Sequence, residues 1–196
     1  MGQYYHAISL DAKQFLSAYD HVGDVKNDFN GLKLMEHSYI GNPLTAAVEH
    51  LLQEGGSWHG HRIVWGGDYA DVEPETKGKT PLKGENLYQL ITNKVIVSPK
   101  NQKRNRYLRY LVNLDKNLFV DLSKIPKTNW GGKIHPLPLL TCEGNGRGGG
   151  DFRYDEEKHP DWDKLIGSWA RDRIAMSRKK PKDKEELIFN LQEDIV

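Results

Sequence analysis

Hydrophobic and polar positions along the chain form two series of elements, and the second series repeats the first. Residues Tyr4–Leu10 are apolar and β-prone, Asp11–Lys13 form a polar turn, and Gln14–Tyr19 resume the strand pattern, which together predict a hairpin. Tyr110–Val120 predict a second hairpin, in which Leu10, Asp11 and Phe15 recur as Leu114, Asp115 and Phe119, 104 positions later. An aspartate suits either turn because its side chain bonds backbone amides two residues on. Leu32–Met35 read as a third strand, repeated as Leu137–Leu140 at an offset of 105. Pro138 lacks an amide donor, which places that repeat at a sheet edge or where pairing is broken.

Each series then turns helical. Asn42 is an N-cap followed by Pro43 at the first helical position; Leu44, Val48, Leu51 and Leu52 fall at helical spacing, and Gly55 with Gly56 end the run. In the second series His159 and Pro160 open a shorter helix through Trp162, Leu165 and Ile166. Both helices lead into the same motif, GSWHGHRIV at Gly56–Val64 and GSWARDRIA at Gly167–Ala175, with an offset of 111. Its Arg-Ile pair starts a strand, and its tryptophans, Trp58 and Trp169, read as apolar anchors under the helix. Between the series, Leu87, Tyr88, Leu90 and Ile91 suggest a short helix after Asn86, and Val95–Val97 an extra strand. Beyond the second motif, Leu187, Ile188, Leu191 and Ile195 form an apolar helical stripe.

These patterns predict an α+β fold, an internal duplication of a β-β-β-α-β unit whose halves are related by a pseudo-twofold, plus a C-terminal helix. Residues 1–72 form the first half, 73–106 a connector with a short helix and strand, 107–176 the second half, and 177–196 a charged linker and the terminal helix, all within one compact domain.

Composition narrows the setting. Hydrophobic residues make up 37% and charged residues 28% of the chain, the balance of a globular protein. No apolar run is long enough to span a bilayer, and the opening MGQYYHAISLD has no secretory leader pattern. Cys142 is the single cysteine, so neither an internal disulfide nor a thiolate zinc cage is available, which fits a reducing cytoplasm. Lys and Arg number 28 against 27 acids, giving no global field for nucleic acid. The basic cluster Lys100, Lys103, Arg104, Arg106 and Arg109, interleaved with Tyr107 and Tyr110, reads as a solvated turn, so nucleic acid is not the expected partner.

The chemically most suggestive stretch is Cys142–Arg153. Its closely spaced glycines allow positive φ and consecutive exposed amides, a nest for an anion, and Arg147 and Arg153 supply guanidinium forks for phosphate. It lacks the closing Gly-Lys-Ser or Gly-Lys-Thr of a P-loop. The corresponding place in the first half holds Glu36, His37, Ser38, Tyr39 and Asn42, beside a helix amino terminus. Trp65 and Tyr69 are candidates to stack on a ring. His59 and His61 with Asp68 and Asp71 suggest a metal only if a third ligand converges, and the second motif carries Ala170 and Asp172 at the histidine positions, so no metal or cofactor is expected.

The MGQYY opening, the GLKLMEHSYIGN segment, the GDYAD at Gly67–Asp71 and the EGNGRGGGD segment resemble those of an uncharacterised family of small phage and bacterial proteins. That resemblance implies a viral or prokaryotic cytoplasmic setting and brings no catalytic residues with it. The expected function is non-catalytic sequestration of a small phosphorylated ligand, such as a nucleotide-derived signal, in a counter-defence role. Ser38, Tyr39, Asn42, Trp65, Glu143, Asn145, Gly146, Arg147, Gly148, Asp151 and Arg153 are the expected ligand-binding residues. One alternative is a hydrolase of nucleotides or glycans using Glu143, Asp151 or His37. Another is an inhibitor that engages a host protein through the tail helix or exposed aromatics. Assembly into a homo-oligomer stays open.

Overall fold

The computed structural model describes residues 3–17, 33–73, 85–144 and 162–191. In chain order they form β1 (Tyr5–Ser9), β2 (Gln14–Ser17), α1 (Leu34–His37), α2 (Pro43–Leu52), β3 (His61–Gly67), α3 (Leu87–Leu90), β4 (Asn93–Lys94), β5 (Tyr110–Asn113), β6 (Leu118–Asp121), α4 (Pro136–Leu140), β7 (Cys142–Glu143), β8 (Arg173–Ser177) and β9 (Glu185–Glu186). Short 3-10 turns lie at Pro99–Gln102, Leu122–Lys124 and Trp162–Lys164. The architecture is α+β: among the described residues one nine-stranded, mostly antiparallel sheet runs β4-β2-β1-β3-β8-β5-β6-β9, with β7 beside β3.

Both hairpins form as the alternation predicts. Ser9 stands opposite Gln14 in one and opposite Ile63 of β3; Asn113 stands opposite Leu118 and opposite Ile174 of β8. These positions keep the offsets of 104 and 111 seen in the sequence. The turn residues Lys13 and Asn117 both take positive φ, 52° and 56°. β3 and β8 meet antiparallel over two residue pairs, His61 with Ile174 and Arg62 with Arg173. Flanking bonds run from the Gly60 amide to the Ile174 carbonyl at 3.0 Å and from the Arg171 amide to the Ile63 carbonyl at 2.8 Å.

One face of the sheet packs on the helices. Ala7, Leu16, Ile63, Leu111, Val120, Ile174 and Met176 point there and meet Leu44, Val48 and Leu52 of α2. Trp58, Trp65 and Trp169 are fully or almost fully buried in this core. Asn42 caps α2 as expected, its side-chain oxygen accepting from the amides of Leu44 at 2.9 Å and Thr45 at 3.4 Å. The motif after the helix is fixed by its carbonyls: the Trp58 amide donates to Leu51 O at 2.9 Å, and the Trp169 amide to Leu140 O at 2.7 Å. A Cβ at Gly56 would collide with the Leu51 carbonyl, so this close turn requires glycine.

Four expectations are corrected. Where the third strand of each series is described, at Leu34–Met35 and Leu137–Leu140, it is helical, as α1 and as α4, and Leu32 lies outside the described residues. Pro136 stands at the first helical position of α4, the His135 ring accepts the Leu137 amide at 3.1 Å, and every residue of the helix is buried. A short apolar run buried all round carries no periodicity to separate helix from strand. The Ser38 and Thr141 hydroxyls each donate four residues back, to Leu34 O at 2.5 Å and Leu137 O at 2.7 Å. The extra strand falls at Asn93–Lys94, after which the Val95 amide still donates to Phe15 O at 2.9 Å. No terminal helix forms through Leu191. β9 pairs parallel with β6, the Leu187 amide donates to Phe119 O at 2.8 Å, and burial of Phe189 and Leu191 around exposed Ile188 and Asn190 has the two-residue period of extended chain. Finally, Trp162–Lys164 form a 3-10 turn rather than an α-helix, while His159, Pro160 and Ile195 lie outside the described residues.

Candidate functional site

The second face of the sheet is treated differently in its two parts. Beside β1 and β3 it carries Ile8, Leu10, Phe15 and Val64, which pack under Leu87 and Ile91 of the α3 segment. His6 lies stacked between Phe15 and Tyr88, with ring centroids 4.5 and 3.9 Å away. Beside β5 and β8 the positions at the same sequence offsets are Val112, Leu114, Phe119 and Ala175, with Tyr110 where His6 stands. These too are buried, Val112 and Ala175 to 4% exposure and Phe119 to 1%, with Leu114 half-buried beside them. β8 joins β9 through seven residues, Arg178–Lys184, which contain no aliphatic or aromatic side chain except the ring of Pro181.

A groove of about 630 Å³ lies beside this connection. It is lined by Val112, Leu114 and Ala175 of the sheet region, by Gln53, Glu54 and His59, and by Arg178–Pro181. A second depression of about 490 Å³ shares Lys180 and Pro181 with it and is lined further by Phe119, Lys182, Lys184 and Glu186. The Ser177 hydroxyl fixes the cationic segment by donating to Lys179 O at 2.7 Å and accepting the Lys179 amide at 3.1 Å. Lys180 Nζ lies 5.6 Å from the centre of the Phe119 ring, a cation-π approach, and 4.0 Å from Glu186. Arg178 and Lys179 make no ion pair with any described residue. His59 Nδ1 lies 2.9 Å from Leu52 O; a carbonyl only accepts, so Nδ1 carries the proton.

An ion cluster centred on Arg171 lies beside β7. Cys142 and Glu143 pair parallel with Trp65 and Gly66, and Gln53 bridges Met176 in the same parallel sense, 111 positions after Trp65. Arg171 takes positive φ, 68°, as does Gly60, at 72°. Its guanidinium binds Glu143 at 2.7 and 2.9 Å and Glu73 at 2.6 and 3.0 Å. These two carboxylates raise the Arg171 pKa above its ordinary value. Gly60 carries no side chain, and a Cβ there would lie 3.5 Å from Leu114 Cδ1.

The residues expected to bind a ligand occupy other ground. Ser38 is buried and bonded to Leu34 O. Tyr39 bridges Ile134 and meets the half-exposed Trp130 edge-on at 4.9 Å. Asn42 is engaged as the cap of α2. Trp65, expected to stack on a ligand ring, is fully buried and donates from Nε1 to His37 Nε2 at 2.6 Å. Glu143 is held by Arg171. Asn145, Gly146, Arg147, Gly148, Asp151 and Arg153 lie outside the described residues. His37, Ser38, Trp65 and Cys142 do converge, but as a packed interior rather than an open site.

Other acid-base candidates are closed as well. His135 accepts the Leu137 amide at Nδ1, so its proton sits on Nε2 and is donated to Glu49 Oε1 at 3.0 Å. Both side chains are about 1% exposed, too deep to meet a substrate. Cys142 is fully buried, its thiol donates to Leu139 O at 3.3 Å, and burial pushes its pKa up to about 12. His61 lies 2.9 Å from the Ser9 hydroxyl, apart from the His59 contact, so the two histidines serve different partners. In the basic cluster Arg109 is taken up by Asp121 at 2.8 and 2.7 Å, whereas Tyr107 is exposed.

No known family, curated protein or solved structure matches the chain. The groove residues Glu54, His59, Arg178, Lys179 and Lys180 were not legible as a site from their sequence positions. The available signal was the short cationic connection Arg178–Lys184, set against a first-half connection that contains a helix.

Proposed function

We propose that the protein is a non-catalytic binding protein and that the groove between His59 and Lys180 receives the anionic part of its partner. The observation that supports this reading is a group of cations, Arg178, Lys179 and Lys180, lining the same groove as the apolar Val112, Leu114 and Ala175. Its volume lies within the few hundred to about 1,000 Å³ typical of sites for discrete ligands. Cationic side chains beside low-dielectric walls attract and orient an anion more strongly than the same groups in open water. A small phosphorylated molecule, sequestered in a host cytoplasm, is one form this function takes. Calorimetric titration with pyrophosphate, a nucleotide panel and polyglutamate tests it. At least one anion should bind the wild type, and Arg178→Ala with Lys179→Ala and Lys180→Ala should weaken that binding by about tenfold. Turnover of a bound nucleotide, or indifference to the triple substitution, overturns the reading.

An ancestral duplication explains why the two halves match. The shared offsets of 104 and 111, the paired positive-φ residues and the self-facing Arg62–Arg173 pair support two halves related by a pseudo-twofold, each a β-β-α-β unit followed by a short edge strand. On this view the first half kept a helix in the connection to its edge strand, and the second half did not.

A further inference from the structure

We infer that the outer edge of β9 is a pairing surface for a second copy of this chain, joined antiparallel about Ile188 so that two sheets become one. The inference goes beyond the reading of the groove and does not depend on it.

The register of β9 decides which backbone groups are left facing outward. The Glu185 amide donates to Asn117 O at 3.0 Å and the Leu187 amide to Phe119 O at 2.8 Å, so these residues turn their N–H and C=O toward β6. Glu186 and Ile188, the residues in alternation with them, turn theirs the other way. β9 ends the sheet on that side, and among the described residues no hydrogen bond reaches the Ile188 amide or carbonyl. The Ile188 side chain is 63% exposed. Phe189 and Leu191 stay buried and Asn190 exposed, so the extended edge runs from Glu185 to Leu191. An edge of this kind is a template for another strand.

The order of side chains makes the edge complementary to itself. Turned about Ile188, the segment sets Ile188 against Ile188, Leu187 against Phe189, and Glu186 against Asn190 of the second copy. Apolar residues then meet at the centre, and each carboxylate meets an amide rather than a like charge. Glu186 also has Lys124 of its own chain at 2.6 Å to balance it. The opposite edge of the sheet is guarded. There Ile96 is 88% exposed and the Val95 amide donates to Phe15 O at 2.9 Å, as Leu187 does to Phe119, but exposed Lys94 stands where β9 has Glu186, and Pro99 opens a 3-10 turn. A lysine and an early turn both protect a sheet margin. Contact of one edge with itself also closes after two copies, whereas β4 joined to β9 would propagate as a filament.

Sedimentation of the full-length chain from about 1 μM to about 1 mM tests the assignment. A monomer–dimer equilibrium with no larger species is expected. Ile188→Pro removes an outward N–H that the chain itself does not use, so it should keep the fold and weaken dimerisation about tenfold or more. Asn190→Glu sets a carboxylate opposite Glu186 and should weaken it about tenfold, whereas Asn190→Lys should not. Ile96→Lys, on the other edge, should leave it unchanged. The exposed Asn190 variants keep the test valid if the proline variant fails to fold. A monomer at every concentration, a dimer indifferent to both Ile188→Pro and Asn190→Glu, or open-ended polymers lost on Ile96→Lys each overturn the inference.

Discussion

Arg62 and Arg173 face each other across the central strand pair, and each is held by the aspartate of a different hairpin turn. Arg62 Nη2 lies 2.6 Å from Asp11, and Arg173 Nη2 2.7 Å from Asp115. Both aspartates also accept the arginine's own backbone amide at 2.6 Å. Like charges directly opposite on neighbouring strands repel, so the turn carboxylates permit this register. The pKa of Asp11 is held below its ordinary value chiefly by the Arg62 side chain, and that of Asp115 chiefly by the Arg173 amide. A depressed carboxyl contributes stability that is complete above its unfolded pKa, about 4, and is lost as pH falls through the folded value. Urea melts between pH 7 and 3 should therefore show wild type losing its advantage over Asp11→Asn with Asp115→Asn. At pH 7 that advantage is about 1 kcal/mol for each partly exposed pair. An advantage independent of pH contradicts the account.

The buried Glu49–His135 contact ties α2 to the start of α4, and Glu49 Oε2 has no hydrogen-bond partner. Removing one member strands the other in the core. Glu49→Ala should cost about 3 kcal/mol in chemical denaturation, and Glu49→Leu with His135→Leu should cost less than the sum of the two single changes, because neither partner strands the other, although Arg104 and the Leu137 amide still lose a neighbour. Additive losses would exclude this coupling.

Cys142 should behave as a core residue. With its thiol buried and its pKa raised to about 12, alkylation at pH 8 should be negligible in the folded chain and should appear only in denaturant. Fast labelling of the native protein would show the β7 pairing to be open in solution.

Gly60 offers a direct way to close the groove. Gly60→Arg starts a long side chain 3.5 Å from Leu114, which lines the groove, while the φ of 72° costs about 1 kcal/mol for a residue with a Cβ. The variant should remain folded with a lower Tm and should lose affinity for anionic partners. Unchanged binding would place the site elsewhere.

Much of the fold is written locally. Asn42 and Pro43 announce α2 because capping chemistry acts within one turn, and the hairpins follow from alternation around Asp11 and Asp115. Leu137–Leu140 mislead because a short run buried on all sides looks the same in either conformation. The extended end of the chain carries the same ambiguity: Leu187 and Leu191 match a helical stripe, yet Phe189 between them reaches the core together with Leu191. The groove is harder to read, since Gln53, Ala175 and Arg178–Pro181, which line it, meet only in the fold. Trp65 shows the converse, an aromatic free of repeat constraints in sequence that is sealed against His37 in three dimensions.

The strand segments that follow the helices are exchanged. Cys142, after α4, lies along β3, and Gln53, after α2, lies against Met176 of β8. Neither hairpin layer can be lifted away without pulling the other's helix tail from its strand. Cutting the backbone between β3 and β5 would thus yield two fragments still threaded through each other, which should stay associated and melt together in one transition.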